Sequence, residues 1–99
     1  MMAIKPNDCI VPYGKLVRWV RTGRSVWDTK REYDEKYLEN FDDHVYDLVR
    51  KQNIDAEIIR GDELKKFGAT YRPNRTNYEK TYIKFRTHAD LTFFILRWA

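Results

Sequence analysis

The sequence predicts an α+β domain in which a small antiparallel sheet is packed on one face by a long helix and a C-terminal helix. Apolar side chains alternate with polar ones through residues 80–86, as in a strand with one buried face. They recur at helical spacing (i, i+3, i+4, i+7) through residues 91–98 and again along residues 28–52. Burial of both helical stripes against the sheet would give the 99 residues a single core.

The start of the chain, residues 1–13, is expected to be an extended arm of a single domain that covers residues 1–99. Pro6 and Pro12 disfavour a helix there, and the apolar pair Ile10-Val11 would pin the arm to the core. The arm has no apolar stretch typical of a signal peptide, and no run of the chain approaches the roughly 18 apolar residues of a membrane span. We therefore expect a cytoplasmic protein with no membrane partner.

Residues 15–22 fit either a short helix or a strand. The apolar residues at positions 16, 17, 19 and 20 would share one face of a helix that ends at Gly23. The Val and Trp content favours a strand that ends in a turn at Thr22-Gly23-Arg24. The strand is the preferred interpretation, and the helix is the alternative.

Residues 28–52 form the clearest predicted helix, with Asn53 as its stop. Large apolar side chains from Tyr33 to Leu48 follow one face, and carboxylates including Asp42 would cover the exposed remainder. Such a run of carboxylates is typical of a solvated helix face.

The start of this helix is assigned from three residues. Ser25 and Asp28 resemble a capping box, with Asp in place of the usual Glu. Trp27 stands where a hydrophobic staple would contact the first turns of the helix.

The second half of the chain is predicted to hold four further elements. They are a short strand at 56–60, a helical turn at 62–68, a hairpin with arms at 69–72 and 79–86, and a final helix that begins after Thr87. Asp62 is the expected N-cap of the helical turn, and Gly68 is expected just beyond its end. Thr87 is expected to cap the final helix.

The net charge of +4 hides a strong segregation of charge. Residues 1–31 hold seven Lys and Arg against two Asp and Glu, and residues 60–86 hold eight against three. Residues 32–59 reverse the balance, with three against nine. This pattern indicates either neutralisation within the fold or a basic face for an anionic partner.

A basic and aromatic sheet face is the first candidate for a binding site. Its residues are Arg72, Arg75, Lys80, Tyr82, Lys84 and Arg86, with Arg21 and Arg24 from the N-terminal basic segment. Lys and Arg neutralise phosphates, and exposed aromatic rings stack on unpaired bases, so these residue types favour nucleic acid or a nucleoprotein complex as the partner. A solvated sheet face carries the same residue types, and this alternative stays open.

A protein-binding surface is the second candidate. Trp19, Trp27 and Tyr46 would form it, because aromatic residues contribute much of the binding energy at protein interfaces. The alternative for Trp27 is the structural role of a hydrophobic staple at the start of the long helix.

The sequence does not show the residue patterns of an enzyme or a metal protein. It has one cysteine, two histidines far apart and no glycine-rich phosphate loop, so we expect no catalytic residue, no metal and no cofactor. Cys9 is expected to be buried and inert. His44, beside Asp43, is expected to be exposed and stabilised in its charged form.

The end of the chain, from Tyr82 to Ala99, reads as a strand, a helix start that contains Asp90, and an aromatic-apolar tail that closes on Trp98. It resembles the C-terminus of many small, uncharacterised proteins of tailed bacteriophages. The resemblance covers about a fifth of the chain. It implies a phage-encoded host-takeover or anti-defence inhibitor in the host cytoplasm that binds a host protein or nucleoprotein complex, and it assigns no site residue.

Overall fold

The computed structural model describes residues 9–99, and the earlier part of the predicted arm lies outside the described residues. Small antiparallel sheets pack against helices, which confirms the α+β class. The elements in chain order are β1 (Ile10–Val11), α1 (Tyr13–Leu16), β2 (Val17–Arg21), β3 (Thr29–Tyr33), α2 (Lys36–Gln52), α3 (Ala56–Lys65), β4 (Ala69–Arg72), a 3-10 turn (Tyr78–Lys80), β5 (Tyr82–Phe85) and α4 (His88–Trp98).

One sheet has the strand order β1-β5-β4, with both pairs antiparallel. Thr81, Ile83 and Phe85 are buried, as the alternation predicts. Val11 pairs with Ile83 and is also buried, so the arm is held to the core at Ile10–Val11 as expected. Lys84 points to the opposite, exposed face.

The helices cover the buried side of this sheet. Phe94 of α4 is fully buried, and its ring centroid lies 5.2 Å from that of Phe85 in β5 and 5.0 Å from that of Phe41 in α2. Helix α4 therefore contacts both the sheet and α2, and the two predicted apolar stripes meet in one core.

Strands β2 and β3 form a separate two-stranded sheet, called the ribbon below (residues 17–33). Val17 pairs with Tyr33 and Arg21 with Thr29, so the strand preferred for this segment is confirmed from Val17 on. All residues from 21 to 30 are exposed, which places the tip of the ribbon away from the core.

The predicted start of the long helix at Asp28 is wrong, because residues 29–33 pair with β2 and the helix begins at Lys36. Ser25 and Asp28 instead close the ribbon turn. The Ser25 N–H donates to the Asp28 carboxylate at 3.2 Å, and the Asp28 N–H donates to the Ser25 carbonyl at 3.1 Å. Trp27 is 87% exposed, so it does not staple a helix.

The strand predicted at 56–60 and the turn predicted at 62–68 are also wrong, because one helix runs through Ala56–Lys65. Its N-cap is Asp55, not Asp62, and the Asp55 carboxylate accepts the Glu57 N–H at 2.8 Å. A glycine inside a helix lowers its stability by up to about 1 kcal/mol relative to alanine, and for this reason Gly61 was predicted to end the preceding element. Burial of Ile59 and Leu64 on either side of Gly61 favours the helix nonetheless.

Three predicted helix boundaries are confirmed. Asn53 adopts a left-handed conformation (φ 54°) at the end of α2, and Gly68 has φ 69° after α3. Thr87 caps α4, since its hydroxyl accepts the Asp90 N–H at 3.1 Å.

Helix α1 packs closely on the 3-10 turn. The Gly14 N–H donates to the Thr81 carbonyl at 2.9 Å. A Cβ added to Gly14 would lie 2.0 Å from the Tyr78 carbonyl oxygen, a distance that real side chains do not reach. This contact fixes Tyr78 beside the base of the ribbon.

Candidate functional site

The ribbon carries exposed cations and exposed aromatic rings. Arg21, Arg24 and Lys30 form no ion pair with any residue in the described range 9–99. Trp27 and Val26 stand at the tip between these cations, and both are exposed. The ribbon tip therefore combines free positive charge with apolar surface.

The base of the ribbon is fixed to the helices through one buried carboxylate. Asp42 of α2 is fully buried, and its Oδ2 accepts hydrogen bonds from the hydroxyls of Tyr13 (2.5 Å) and Tyr33 (2.8 Å). Arg31 donates to the same oxygen at 3.4 Å, and Arg60 Nε donates to Oδ1 at 3.2 Å. These five residues, called the Asp42 cluster, join α1, β3, α2 and α3.

The two arginines of the cluster also lie against aromatic rings. The Arg31 guanidinium carbon is 3.7 Å from the ring centroid of Tyr46 and 5.4 Å from that of Trp19. The side chain of Arg60 is 5% exposed, its Nη2 donates to the Tyr46 hydroxyl at 3.1 Å, and its guanidinium carbon is 5.3 Å from the Tyr71 ring centroid. Cation–π contacts of this kind stabilise a desolvated guanidinium.

The protonation states in the cluster follow from burial and from the charge of Asp42. Burial raises the pKa of Tyr13 and of Tyr33, and the nearby Asp42 carboxylate raises both further. Both phenols therefore stay neutral donors at physiological pH. Burial alone would lower the pKa of Arg60, but the negative charge of Asp42 opposes burial and the pKa stays above its ordinary value, so Arg60 keeps its charge.

A cavity of about 400 Å³ opens between the cluster and the first turn of α3. This volume lies in the range of small-molecule sites, roughly 300–1,000 Å³. Its walls are mainly arginine and aromatic side chains, with two carboxylates at one side. The residues are Tyr13, Trp19, Arg31, Tyr46, Asp55, Ala56, Glu57, Arg60, Tyr71, Arg75 and Tyr78.

The residues predicted for the basic sheet face do not all lie together. Arg72 pairs with Tyr82 on the exposed face of the three-stranded sheet, and Lys84 lies on the same face. Arg86 follows β5, is exposed and approaches Asp90 at 3.7 Å. Lys80 belongs to the 3-10 turn, Arg75 lines the cavity, and Arg21 and Arg24 lie on the ribbon.

The aromatic residues predicted for protein binding divide in the same way. Trp27 is at the ribbon tip, whereas Trp19 and Tyr46 line the cavity. Trp19 pairs across the ribbon with Arg31, so these two residues share one face of it. Both basic segments thus reach the same cavity, the first through Arg31 and the second through Arg60 and Arg75.

The expectation that Asp42 belongs to the exposed acidic face is wrong. Leu38, Phe41, Asp42 and Val45 are the buried residues of α2, spaced at i, i+3, i+4 and i+7. This position on the apolar stripe was the signal in the sequence, because a carboxylate there needs buried partners. The roles of Tyr13 and Arg60 had no local signal.

The histidines and the cysteine lie apart from the cavity lining. His44 Nε2 lies 2.6 Å from Glu63 Oε1, and its ring lies beside Trp98, with 5.0 Å between the ring centroids. His44 is therefore paired across two helices rather than simply exposed. Burial raises the pKa of Glu63, but hydrogen bonds from Lys66 and His44 outweigh burial and leave it below its usual range. Cys9 is buried, as expected.

Comparisons with protein-family models, with curated proteins and with solved structures found no match for this chain. Among the described residues, no three or more His, Cys, Asp or Glu side chains are grouped so as to hold a metal ion. No helix in residues 9–99 is both long enough and apolar enough to cross a membrane.

Proposed function

We propose that the protein is a non-catalytic binding protein that recognises single-stranded nucleic acid, free or within a nucleoprotein complex, through its ribbon. The observation that carries the proposal is the exposure of Trp27 at the ribbon tip, among cations that have no ion-pair partner in the described chain. Trp27 and its neighbour Val26 together expose an apolar patch rimmed by polar residues, and such patches mark interaction sites.

The chemistry of the ribbon suits an unpaired strand. Arg21, Arg24 and Lys30 supply positive charge for phosphates, and each phosphate contact to a single strand lowers the slope of log K against log salt by about 0.7. Trp27 and the partly exposed Trp19 offer flat faces on which bases stack, at roughly 1–3 kcal/mol per base. The ribbon therefore combines the two contacts that sequence-tolerant strand binding requires.

The test is fluorescence anisotropy with labelled single-stranded DNA and RNA over a series of salt concentrations. Wild type should bind both with a log–log salt slope of about −2, as expected for three phosphate contacts. Trp27→Ala should weaken binding by about 5- to 150-fold, which corresponds to one lost stacked base. The exposed aromatic Phe93 of α4 provides the matched control, and Phe93→Ala should leave binding unchanged.

A second pair of variants distinguishes the ribbon from the sheet face. Arg21→Glu with Arg24→Glu and Lys84→Glu with Arg86→Glu change the net charge equally, but on different sheets. Loss of binding only in the ribbon pair supports the proposal. Loss only in the Lys84 and Arg86 pair would move the site to the sheet face, and no binding by wild type at low salt would refute nucleic-acid recognition altogether.

A second candidate function, inhibition of a host protein by direct binding, is favoured by exposed apolar residues. Val26 and Trp27 at the ribbon tip, and Phe93 and Leu96 on α4, are large apolar side chains in water. Such residues act as anchors at protein interfaces. Recovery of one host protein from a nuclease-treated lysate by wild type, and not by Trp27→Ala or Leu96→Ala, would favour this function over the first.

A further inference from the structure

We propose that the cavity binds a nucleoside monophosphate group, either as a free nucleotide or as the terminal nucleotide of a strand. This inference deepens the proposed function and rests on it for the choice of ligand class. The chemistry common to both sources is a phosphate monoester beside an aromatic base.

Two of the three arginines that line the cavity share one carboxylate as their ion-pair partner. Arg31 and Arg60 share the single carboxylate of Asp42. At the cavity wall, Glu57 pairs with Arg75 at 3.4 Å, and Asp55 accepts the Glu57 N–H as the cap of α3, so within residues 9–99 neither carboxylate is paired with Arg31 or Arg60. Guanidinium groups that share one carboxylate keep donors for a bidentate contact with a phosphate.

The arginines also have hydrogen-bond donors to spare. Among the described residues, Arg31 donates from Nη1 alone, to Asp42 at the long distance of 3.4 Å. Arg60 donates from Nε to Asp42 and from Nη2 to the Tyr46 hydroxyl, which accounts for two of its five N–H groups. A guanidinium presents five donors in a planar fork, so the unused ones are available to phosphate oxygens.

A third arginine stands at the mouth of the cavity. The side chain of Arg75 is 83% exposed, and within residues 9–99 its ion pair with Glu57 is its one polar side-chain contact. Exposed pairs of this kind contribute little to stability, so Arg75 can turn toward a bound phosphate at small cost. The phosphate would then be bound from both sides.

Aromatic side chains in the cavity wall would bind the base of the nucleotide. Trp19 and Tyr78 line the cavity and remain partly exposed, so each can present a ring face to a ligand. Trp19 and Arg21 are two residues apart in β2, so they lie on the same face of the strand. Strand β2 runs from the cavity toward the ribbon tip. A strand that lies along the ribbon could therefore place its last nucleotide in the cavity.

The test is isothermal titration calorimetry with AMP, adenosine, inorganic phosphate and O-phosphotyrosine. AMP should bind, and each of the other three should bind at least about tenfold more weakly. Adenosine lacks the phosphate, inorganic phosphate lacks the base, and O-phosphotyrosine carries a phenyl ring in place of the base. Arg75→Ala should weaken AMP binding by a similar factor, as should Arg31→Gln once circular dichroism shows that it is folded. Because Arg75 is exposed, the proposal stays testable if Arg31→Gln does not fold.

Oligonucleotides with and without a terminal phosphate distinguish the two sources. If the phosphorylated strand binds more tightly and this preference is lost in Arg75→Ala, the ligand is a strand terminus. If AMP binds but the two strands bind equally, the ligand is a free nucleotide. Trp27→Ala should weaken strand binding and leave AMP binding unchanged, which separates failure of the ribbon from failure of the cavity. No heat with millimolar AMP, or equal affinity for phosphotyrosine or phosphate, would overturn the inference.

Discussion

Replacing Asp42 with asparagine should destabilise the protein severely without changing its shape. The carboxylate accepts four hydrogen bonds, three on Oδ2 and one on Oδ1, and every partner is a donor. Asparagine has only one acceptor oxygen, so its amide N–H groups would face a donor such as Arg60 Nε. The substitution also removes the negative charge beside Arg60, whose side chain is 5% exposed.

The magnitude follows from the cost of an uncompensated buried charge. Removal of one partner of a buried ion pair typically costs about 3–5 kcal/mol. A small domain has about 5–15 kcal/mol of stability in total, so this change would remove a large part of it. With a urea m-value of about 2 kcal/mol/M, the unfolding midpoint should fall by on the order of 2 M.

Urea unfolding followed by far-UV circular dichroism measures this change. Asp43→Asn is the matched control, because Asp43 is the adjacent carboxylate of the same helix, is exposed, and should change stability by less than about 0.5 kcal/mol. If Asp42→Asn were within about 1 kcal/mol of wild type, the Asp42 cluster would not anchor the ribbon as described.

Three other perturbations test the packing and the tyrosines. Phe94→Ala should cost about 3–5 kcal/mol in urea unfolding, whereas Phe93→Ala should be nearly neutral, because only Phe94 is buried; equal effects would contradict the core assignment. Gly14→Ala should destabilise the protein, because the added Cβ would collide with the Tyr78 carbonyl. Gly61→Ala has open space around it and should stabilise the protein by about 0.4–1 kcal/mol. Thermal melts should show a lower Tm for the first variant and a higher Tm for the second. Partial burial raises the pKa of Tyr78 to about 12, so the folded state keeps this phenol neutral where the unfolded chain ionises it near pH 10. Stability should therefore fall as pH rises from about 10 toward 12, and ultraviolet difference absorption should show delayed ionisation in the folded protein; simultaneous ionisation in folded and unfolded protein would refute this.

Periodicity was enough to predict the elements whose packing depends on their own pattern. The alternation of β5 and the stripe of α4 correctly assigned Ile83, Phe85 and Phe94 to the core. Caps at Asn53 and Thr87 were predictable as well, because a cap is a local interaction between a side chain and a nearby backbone group.

Elements whose structure depends on a distant partner were not predictable in this way. Residues 29–33 continue the helical spacing, since Tyr33 and Tyr37 are four apart, and only their pairing with β2 makes them a strand. The candidate site also depends on residues that are distant in sequence. Arg31, Asp42 and Arg60 are 11 and 18 residues apart, and no short motif connects them.

The ribbon tip and the ribbon base differ in how freely their residues can be replaced. Residues 21–30 are exposed, so substitutions there leave the core packing intact. Arg31 and Tyr33 hold the base to a buried carboxylate, and few side chains could substitute for them. Natural variation can therefore alter what the tip recognises while the scaffold stays the same, much as the loops of a rigid domain diversify.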